Sequence, residues 1–375
     1  MNIAYILADP GIGVFGSKGA SVHVQEMIRA LRHHGHTVTV FCVRRGEKDG
    51  TVLIPEDLLD LEVIDVPRPR GRGAEREQAL RGVSDDLLAA VQAREFDLVY
   101  ERYSLFSDAG MRTGLPLVLE VNAPLIEEQA IHRSLTDVAT AHRLSVAMFE
   151  AAELVSCVSG PVADWVHGLA PQARTAIIPN GVNTARFLPA EPTGGELTVG
   201  FVGTLKPWHG TGILLDAVAK AGHPWRLEFC GTGPEQETLE LQAAQLGIAH
   251  RVRFHGAVAP ADVPQVLAGW DAACAPYPQA DGHYFSPLKV YEYMAAGLPV
   301  IASAVGELPA LLCGRGLLVE PGDTGQLSRA LDRLAGDPAL RAELGTAASG
   351  HVDKHHTWNQ RCGDLLAQLP VTVRS

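Results

Sequence analysis

Two lysine-bearing segments in the carboxyl-terminal half carry residue types that bind phosphate. In the first, Lys206 and His209 follow the apolar run Val199–Val202, so a cation is placed at the carboxyl end of a predicted strand, where parallel α/β sheets bind their ligands. In the second, Lys289 and Glu292 are three residues apart and therefore share one face of a helix. The competing interpretation is that both lysines are solvated and that Lys289 and Glu292 form a surface ion pair.

The second segment also has the pattern of a helix start. Ser286 is predicted to be the N-cap and Pro287 the first residue of a helix over 287–296. The unpaired N–H groups of such a start bind phosphate oxygens, and Glu292 would then reach the hydroxyls of a ribose. The ligand that fits this arrangement is a nucleoside diphosphate.

A glycine-rich loop follows the first predicted strand. Its glycines at positions 11, 13 and 16 match the G-x-G-x-x-G pattern of dinucleotide-binding folds. In those folds the helix begins at the glycines and an acidic residue ends the next strand. Here the helix is predicted from about Ala20, and the next strand ends in Arg44 and Arg45. We therefore expect no NAD. A loop that leads into a helix start beside Lys18 favours another anion, and a plain turn is the alternative.

Composition narrows the class of protein. The chain has 375 residues, enough for two domains, and its net charge of −12 argues against a general binder of nucleic acids or anionic membranes. The six cysteines are widely spaced and form no C-x-x-C pair, as expected for buried free thiols in a reducing compartment. No apolar stretch approaches the ~20 residues of a membrane-spanning helix. A cytoplasmic protein is predicted.

Short apolar runs alternate with longer amphipathic segments along almost the whole chain, a pattern typical of parallel sheets covered by helices. The predicted strands are 2–8, 37–43, 61–66, 98–100, 117–121, 155–158, 197–202, 226–230, 252–254, 272–275, 299–302 and 316–319. The predicted helices are 20–33, 74–94, 136–152, 210–221, 234–246, 287–296, 324–334, 338–350 and 357–369. The fold class is therefore α/β, with two doubly wound, Rossmann-like parallel-sheet domains.

The alternation pauses at 179–195, where prolines and glycines predict a connector. We expect an amino-terminal domain over 1–185, a carboxyl-terminal domain over 186–354, and a last helix over 355–370 that packs back on the first domain. Because ligands bind beyond the carboxyl ends of parallel strands, the predicted site is a central cleft that the two domains face.

Together and in this order, the motifs resemble those of the retaining glycosyltransferases of family 4, which have the GT-B fold of two facing Rossmann-like domains. The resemblance covers the chain almost end to end. Each motif is weak to moderate alone, and their order and spacing make the resemblance specific. The segments that carry it are Lys18–His23, Ile178–Asn183, Phe201–Gly210, Gly231–Pro234, Arg253–Gly256 and Ser286–Ala302.

The resemblance implies roles for individual residues. Lys206, Lys289 and Glu292 are expected to be catalytic: the lysines would hold the diphosphate, and the glutamate, the second of the family's E-x7-E motif, the ribose. Tyr284 stands where that motif has its first glutamate, and Thr204 and His209 stand where the donor loop often has Arg and Lys. The other expected donor-binding residues are Gly16, Lys18, Gly19, Gly203, Gly231, Gly233, His255, Val258, Ser286, Pro287 and Leu288. The expected acceptor-side residues are Glu101, Arg102, Tyr103, Glu120 and Asn122.

The implied activity is transfer of a sugar, with retention, from a UDP- or GDP-sugar to an acceptor hydroxyl in glycan, glycolipid or natural-product biosynthesis. No metal or other cofactor is expected, because no D-x-D motif occurs and the lysines and helix start would stabilise the leaving diphosphate. The expected partners are the nucleotide sugar and a small-molecule, lipid-linked or glycan acceptor, with no nucleic acid. The chain is expected to be a monomer or a weak dimer. Two alternatives stay open: a nucleotide-sugar 2-epimerase of the same fold and a nucleotide-sugar-binding protein without catalysis.

No motif identifies the acceptor. The amino-terminal loops and the segment Arg68–Arg72 are expected to shape its site. We interpret this arginine-rich segment as a solvated loop rather than a membrane-docking patch, because its charge is modest beside the overall acidity. Peripheral contact with the inner face of a membrane stays open.

Overall fold

A computed structural model describes residues 1–47, 49–132, 135–187, 196–280 and 282–370. The chain forms two compact units. Unit 1 comprises Met1–Asn180, the short stretch Tyr284–Ser286 and the chain from Trp358 onward, and unit 2 comprises Gly181–His283 and Pro287–Thr357. The part of the predicted connector at 188–195 lies outside the described residues.

Unit 1 is built on a parallel sheet of seven strands in the order β3-β2-β1-β4-β5-β6-β7. The strands are β1 (Asn2–Leu7), β2 (Thr37–Cys42), β3 (Glu62–Asp65), β4 (Leu98–Arg102), β5 (Leu117–Val121), β6 (Leu154–Cys157) and β7 (Thr175–Ile177). The helices between them are α1 (Gly19–His33), α2 (Gly73–Gln92), α3 (Ala109–Arg112), α4 (Leu125–His132), α5 (Val138–Ala151) and α6 (Gly160–Leu169). Strands β1 and β5 are almost continuously apolar and buried, as a sheet covered on both faces requires.

Unit 2 repeats the plan with six parallel strands in the order β10-β9-β8-β11-β12-β13. The strands are β8 (Thr198–Val202), β9 (Arg226–Cys230), β10 (Val252–Gly256), β11 (Ala272–Ala275), β12 (Val300–Ser303) and β13 (Gly316–Val319). The helices are α7 (Thr211–Lys220), α8 (Gln236–Gln245), α9 (Val263–Ala268), α10 (Leu288–Ala295), α11 (Leu308–Leu312), α12 (Thr324–Gly336) and α13 (Pro338–His355). The sequence-based prediction of two doubly wound α/β sheets is confirmed.

The last helix, α14 (Trp358–Gln368), belongs to unit 1 and packs on α1. The carbonyl of Asn359 lies 2.9 Å from Nε2 of His34. The ring of Trp358 meets the ring of His23 edge-on at 4.8 Å between centroids. This helix therefore covers the helix that the glycine loop leads into.

The strand order locates the functional edge of each unit. In a doubly wound sheet the order reverses at one point, and ligands bind beyond the carboxyl ends of the strands there. The reversal lies between β1 and β4 in unit 1 and between β8 and β11 in unit 2. The loop after β1 is the glycine loop, and the loop after β8 contains Lys206, so both predicted loops lie at switch points.

Every predicted strand is present within a few residues of its expected position, but several short elements were not predicted. They are β7, α3, α4, α6, α9 and α11. Helix α6 has a clear start signal, since the hydroxyl of Ser159 accepts a hydrogen bond from the Val162 N–H and Pro161 lies in the first turn. The others have three to eight residues, too few to give a distinct periodicity.

Two further features bear on the predictions. All six cysteines are free thiols, and only Cys313 is exposed. Within the described ranges, no helix combines the length and apolar character needed to cross a membrane.

Candidate functional site

The loops after β8 and β9 in unit 2 lie in close backbone contact at two glycines. Gly203 and Gly231 have φ values of +141° and +137°, which only glycine adopts easily. A Cβ at Gly231 would lie 2.2 Å from the carbonyl oxygen of Gly203, and a Cβ at Gly203 would lie 3.0 Å from Nζ of Lys289. The glycines therefore let the backbone approach the amino group of a lysine on α10.

Lys289 places an unpaired amino group in this loop cluster. Its Nζ is buried and has no hydrogen-bond partner, although other parts of the side chain are partly exposed. The nitrogen lies 4.1 Å from the ring centre of Phe201 and 5.7 Å from that of Tyr277, so its neighbours are aromatic faces. Burial lowers the pKa of Lys289 to about 7, and the charge of Glu292 opposes that shift. An ammonium group left without an acceptor is able to bind an anion that the protein does not itself supply.

Lys206 and His209 lie on the same loop but differ in charge. Lys206 is half-buried, with Nζ 4.5 Å from the ring centre of Trp208. Nδ1 of His209 lies 2.6 Å from the carbonyl oxygen of Thr204, so Nδ1 carries the proton and Nε2 is available as an acceptor. Burial, followed by the charges of Lys289 and Lys206, lowers the pKa of His209 to about 3. His209 is therefore neutral, and the two lysines supply the positive charge of the loop.

Glu292 is half-buried one turn after Lys289 on α10. Its charge reaches Lys289 and also Cys230 at the end of β9, where, after burial, it helps to raise the pKa of the thiol to about 11. Glu292 thus faces the ends of the central strands, beside the lysine but on the β9 side. The structure brings it together with Gly203, Lys206, His209 and Lys289.

The remaining donor residues predicted in unit 2 lie around the ends of β9 and β10. Gly233 is close to the first loop, since a Cβ there would lie 2.1 Å from the carbonyl oxygen of Leu205. Nε2 of His255, on β10, lies 2.7 Å from a carboxylate oxygen of Glu228, and Val258 is half-buried just beyond the strand. These residues form one side of the loop cluster, with backbone groups and a fixed histidine.

The start of α10 corrects one prediction. The helix begins at Leu288 with Pro287 as its N-cap, and no side chain caps it. Ser286 is not the N-cap: it belongs to unit 1, where its hydroxyl accepts a hydrogen bond from the N–H of Asn180 at 3.1 Å. The absence of a side-chain cap at Leu288 leaves the first N–H groups of α10 to another acceptor.

Tyr284 is likewise part of unit 1, whereas Lys206 and Lys289 belong to unit 2. Its ring packs against the hydrophobic core of unit 1, and its carbonyl accepts a hydrogen bond from the hydroxyl of Ser159. Burial and the neighbouring Glu128, which accepts a hydrogen bond from the phenol, raise the pKa of Tyr284 well above its usual value. The donor-binding roles expected for Tyr284 and Ser286 stay predictions.

In unit 1 the polar centre is Glu120, at the end of β5. It is 4% exposed, and four side chains donate to its carboxylate. Those donors are His23 at 2.9 Å, Arg102 at 2.5 Å, Tyr100 and Asn122. Burial alone would raise the pKa of Glu120, but the charges of His23 and Arg102 and the hydrogen bonds hold it well below its usual range. We call these five residues the Glu120 network.

His23 and Asn180 are residues that sequence reasoning missed. Nδ1 of His23 lies 2.8 Å from Oδ1 of Asn180, and the Asn180 amide is oriented because its Nδ2 donates to the Ser286 carbonyl at 2.6 Å. Both nitrogens of His23 therefore lie beside oxygen atoms, that of Asn180 on one side and that of Glu120 on the other, and these two contacts fix the orientation of the ring. Both residues stand in segments that carry the family resemblance, Lys18–His23 and Ile178–Asn183, but no role was assigned to either of them.

Two of the predicted acceptor-side residues point inward. Glu101 is fully buried; its carboxylate accepts from the Ser107 hydroxyl at 2.5 Å and from the Gly110 N–H at 2.8 Å, and burial raises its pKa to about 7. Tyr103 is buried with its hydroxyl 2.5 Å from that of Ser145. Alternation along β4 explains the correction, because Arg102, between them, points the other way and joins the Glu120 network.

The glycine loop of unit 1 has a buried and an exposed part. Gly16 is buried, and a Cβ there would lie 2.6 Å from the hydroxyl of Ser21. Lys18, the N-cap of α1, and Gly19, its first residue, are exposed, and no side chain caps the helix. The loop thus presents an uncapped helix start with a lysine beside it.

Comparisons with known proteins agree with this architecture. Residues 196–337 match the family model described as "Glycosyl transferases group 1", and residues 17–186 match "Glycosyltransferase Family 4". A D-inositol 3-phosphate glycosyltransferase of Acidothermus cellulolyticus is 30% identical over 404 residues, covering 95% of this chain and 86% of that protein.

Two solved structures share the fold over the full length. Sucrose-phosphate synthase from Thermosynechococcus elongatus has a TM-score of 0.76 and 22% identity, and the similarity covers 98% of this chain and 99% of that one. Anabaena HepE in complex with UDP-glucose has a TM-score of 0.73 and 21% identity, covering 98% of this chain and 100% of that one.

Proposed function

The chain belongs to glycosyltransferase family 4, and on this premise we propose that it transfers a sugar, with retention, from a nucleotide-diphosphate sugar to an acceptor hydroxyl. Its GT-B fold and its class as a glycosyltransferase, both predicted from the sequence, are confirmed by the comparisons. The observation that carries the proposal is the buried amino group of Lys289, which has no acceptor of its own at the switch point of unit 2.

Lys289, Lys206 and the start of α10 would bind the diphosphate. When the bond between sugar and phosphate breaks, negative charge builds on the leaving diphosphate and positive charge on the sugar carbon. Donors that are already in place lower the barrier because they need no reorganisation, and their effect is larger away from water. The amino group of Lys289 meets both conditions, since it is buried and held between Phe201 and Tyr277. In this proposal the lysines stabilise the negative charge of the leaving diphosphate, a task that a bound metal ion performs in metal-dependent enzymes.

The rest of the donor would extend along the carboxyl ends of β9 and β10. Glu292, on the β9 side of Lys289, is suited to accept hydrogen bonds from two ribose hydroxyls. The segment from His255 to Val258 would hold the base, chiefly through backbone groups. HepE was solved with UDP-glucose, which favours UDP, while GDP stays compatible because no side chain here selects between the bases.

The acceptor would meet the Glu120 network in unit 1. Arg102 and Asn122 are half-buried, and both are oriented by Glu120. No residue of this network is free to act as a general base, because the Glu120 carboxylate is already bonded by four side chains. Retention then fits attack on the face that the diphosphate leaves, with a phosphate oxygen taking the proton of the acceptor hydroxyl. We also propose a cytoplasmic location, in keeping with five buried free thiols.

The test measures binding and chemistry separately. Calorimetry with UDP and GDP should show micromolar to millimolar binding to the native chain, and Glu292→Ala should weaken it roughly tenfold or more, while Glu240→Ala, on the surface helix α8, should not. NMR of the product from a nucleotide sugar and an acceptor should show the anomeric configuration of the donor. Inverted configuration would refute retention. Epimerised nucleotide sugar in the absence of acceptor would indicate the epimerase instead.

A further inference from the structure

Three arginines of unit 1 converge at the edge of the sheet where ligands bind. Arg44 follows the end of β2 and Arg68 follows the end of β3, and the register pairs the last residues of those strands, Cys42 with Asp65. Arg76 lies in the first turn of α2, which starts just after. We call Arg44, Arg68 and Arg76 the arginine cluster.

Arginines on the opposite edge of the same unit are paired. Arg29 and Arg32, near the end of α1, form ion pairs with Asp57 and Asp60. Arg94, after α2, pairs with Glu62 at 2.6 Å. The protein therefore has carboxylates available for arginine at this edge, and at the carboxyl ends of the strands it pairs Arg45 with Asp65 at 3.9 Å and Arg102 with Glu120.

The arginine cluster has no such partners. Among the described residues, neither Arg68 nor Arg76 makes an ion pair or a hydrogen bond, and both are exposed. Arg44 donates only to the carbonyl of Gly11, at a long 3.4 Å, and its Nε is buried without a partner. Two carboxylates, Asp9 and Glu47, act on the charge of Arg44, but Asp9 accepts a hydrogen bond from the Gly11 N–H, and Glu47 accepts from the N–H and hydroxyl of Ser17.

The three charges also repel one another. Burial, followed by the charge of Arg68, lowers the pKa of Arg44; the charges of Asp9 and Glu47 oppose the shift, and Arg76 adds to it. A guanidinium stays charged at physiological pH, so the repulsion is a cost to folding that an anion would remove. Unfavourable repulsion between side chains that is kept in a folded protein is typical of functional sites, where a bound ligand can relieve it.

We propose that Arg44, Arg68 and Arg76 bind a phosphate group of the acceptor, so that the substrate class is a phosphorylated polyol, sugar or lipid headgroup. This inference rests on the proposed function. Guanidinium groups match phosphate because each donates two parallel hydrogen bonds to two oxygens. Several of them around one anion favour a phosphate group, which has more oxygen atoms to accept such bonds than a carboxylate, and Arg44, which also touches the glycine loop, would orient the acceptor beside that loop.

The experiment compares matched acceptors. Initial rates are measured with a nucleotide sugar and with inositol phosphates or hexose phosphates, each beside its unphosphorylated counterpart, and with phosphatidylinositol in vesicles. We expect transfer to phosphorylated acceptors only, and Arg68→Ala and Arg76→Ala should each raise their KM at least tenfold with little change in kcat. Arg81→Ala, an exposed arginine farther along α2, is the control and should change KM less than twofold.

The outcomes separate this inference from the proposed function. Normal binding and slow hydrolysis of the donor, with no preference for phosphorylated acceptors or with an unchanged KM in the Arg68→Ala, Arg76→Ala double variant, would overturn the arginine cluster alone. Loss of donor binding by the native chain would overturn the proposed function. Turnover of soluble phosphates identifies a soluble acceptor, and turnover confined to phosphatidylinositol vesicles identifies a lipid headgroup. Equal binding to oleate vesicles would mean general anion attraction and would also overturn the proposal.

Discussion

The two units each bury one charged group near the edge where ligands bind, and they treat it in opposite ways. In unit 1 the carboxylate of Glu120 receives hydrogen bonds from four side chains. In unit 2 the amino group of Lys289 donates no hydrogen bond and lies beside two aromatic rings. Both burials are costly, but only the first cost is offset by the protein itself.

This difference separates a positioning group from a binding group. A carboxylate with four donors has little capacity left for a substrate, so its role is to fix the side chains around it. A buried ammonium without an acceptor is incomplete until an anion arrives. The comparison therefore places the substrate-facing atoms of unit 1 on the donors of Glu120, and those of unit 2 on Lys289 itself.

The largest effect is expected when the complete network is broken. Glu120→Ala removes the counter-charge of Arg102, whose side chain is 11% exposed, and leaves three other donors without their acceptor, and removing one partner of such a buried pair costs about 3–5 kcal/mol. Urea unfolding followed by tryptophan fluorescence measures this loss. The control is Glu127→Ala, an exposed glutamate on α4, which should cost less than about 0.5 kcal/mol. A loss for Glu120→Ala as small as for the control would mean that the network is not held by charge.

Lys289→Met should have opposite effects on activity and stability. Loss of one preorganised donor lowers turnover by about 10²–10³. The melting temperature should rise by a few °C near pH 7. Burial depresses the pKa of Lys289 to about 7, which means that the charged lysine is unfavourable in the folded chain. Between pH 7 and the higher pKa of this lysine in the unfolded chain, the unfolded chain binds more protons than the folded chain. Stability therefore rises with pH over that range, and the native lysine lowers the free energy of unfolding most at lower pH. Steady-state rates and thermal melts measure the two effects.

The control for this pair of measurements is Lys220→Met, an exposed lysine at the end of α7. It should change neither rate nor melting temperature appreciably. Near-normal turnover in Lys289→Met would contradict the proposed diphosphate site. A lower melting temperature would contradict the view that the amino group is unpaired.

A smaller, graded effect is expected from pH. Because a bound diphosphate raises the pKa of Lys289 above its free value of about 7, donor binding takes up a proton above that pH. Affinity for a nucleotide sugar, whose pyrophosphate does not titrate in this range, should fall by up to about tenfold per pH unit between pH 7 and 9. Calorimetry in two buffers of different ionisation enthalpy measures the proton uptake. Lys289→Arg, always charged, should flatten the dependence; an equal slope in that variant would assign the proton to another group.

Lys289 was predicted from the sequence, as were Arg102, Glu120 and Asn122 of the Glu120 network. Its other members, His23 and Tyr100, and the contacts that join the five residues were not predicted, and the reason is separation along the chain. Lys289 lies in a local motif whose helix start and spacing can be read directly. His23, Glu120 and Asn180 are separated by 97 and 157 residues, as counted from His23, and only the assembled sheet brings them together. Ser286 shows the opposite error: its type and position predicted an N-cap, but a tertiary hydrogen bond from Asn180 occupies its hydroxyl.

The smallest effect is expected for Tyr284→Phe. This variant tests whether the phenol acts only within unit 1 or also contacts the donor. The phenol donates to Glu128 within unit 1, and a single half-buried hydrogen bond is worth about 1 kcal/mol. Donor affinity and KM for the nucleotide sugar should therefore change less than twofold, while the melting temperature falls slightly. The comparison variant is Glu128→Gln. It weakens the same hydrogen bond from its other end and should lower stability similarly. A change in preference among donor sugars with Tyr284→Phe, but not with Glu128→Gln, would instead show that the phenol contacts the donor, as the family resemblance implied for this position.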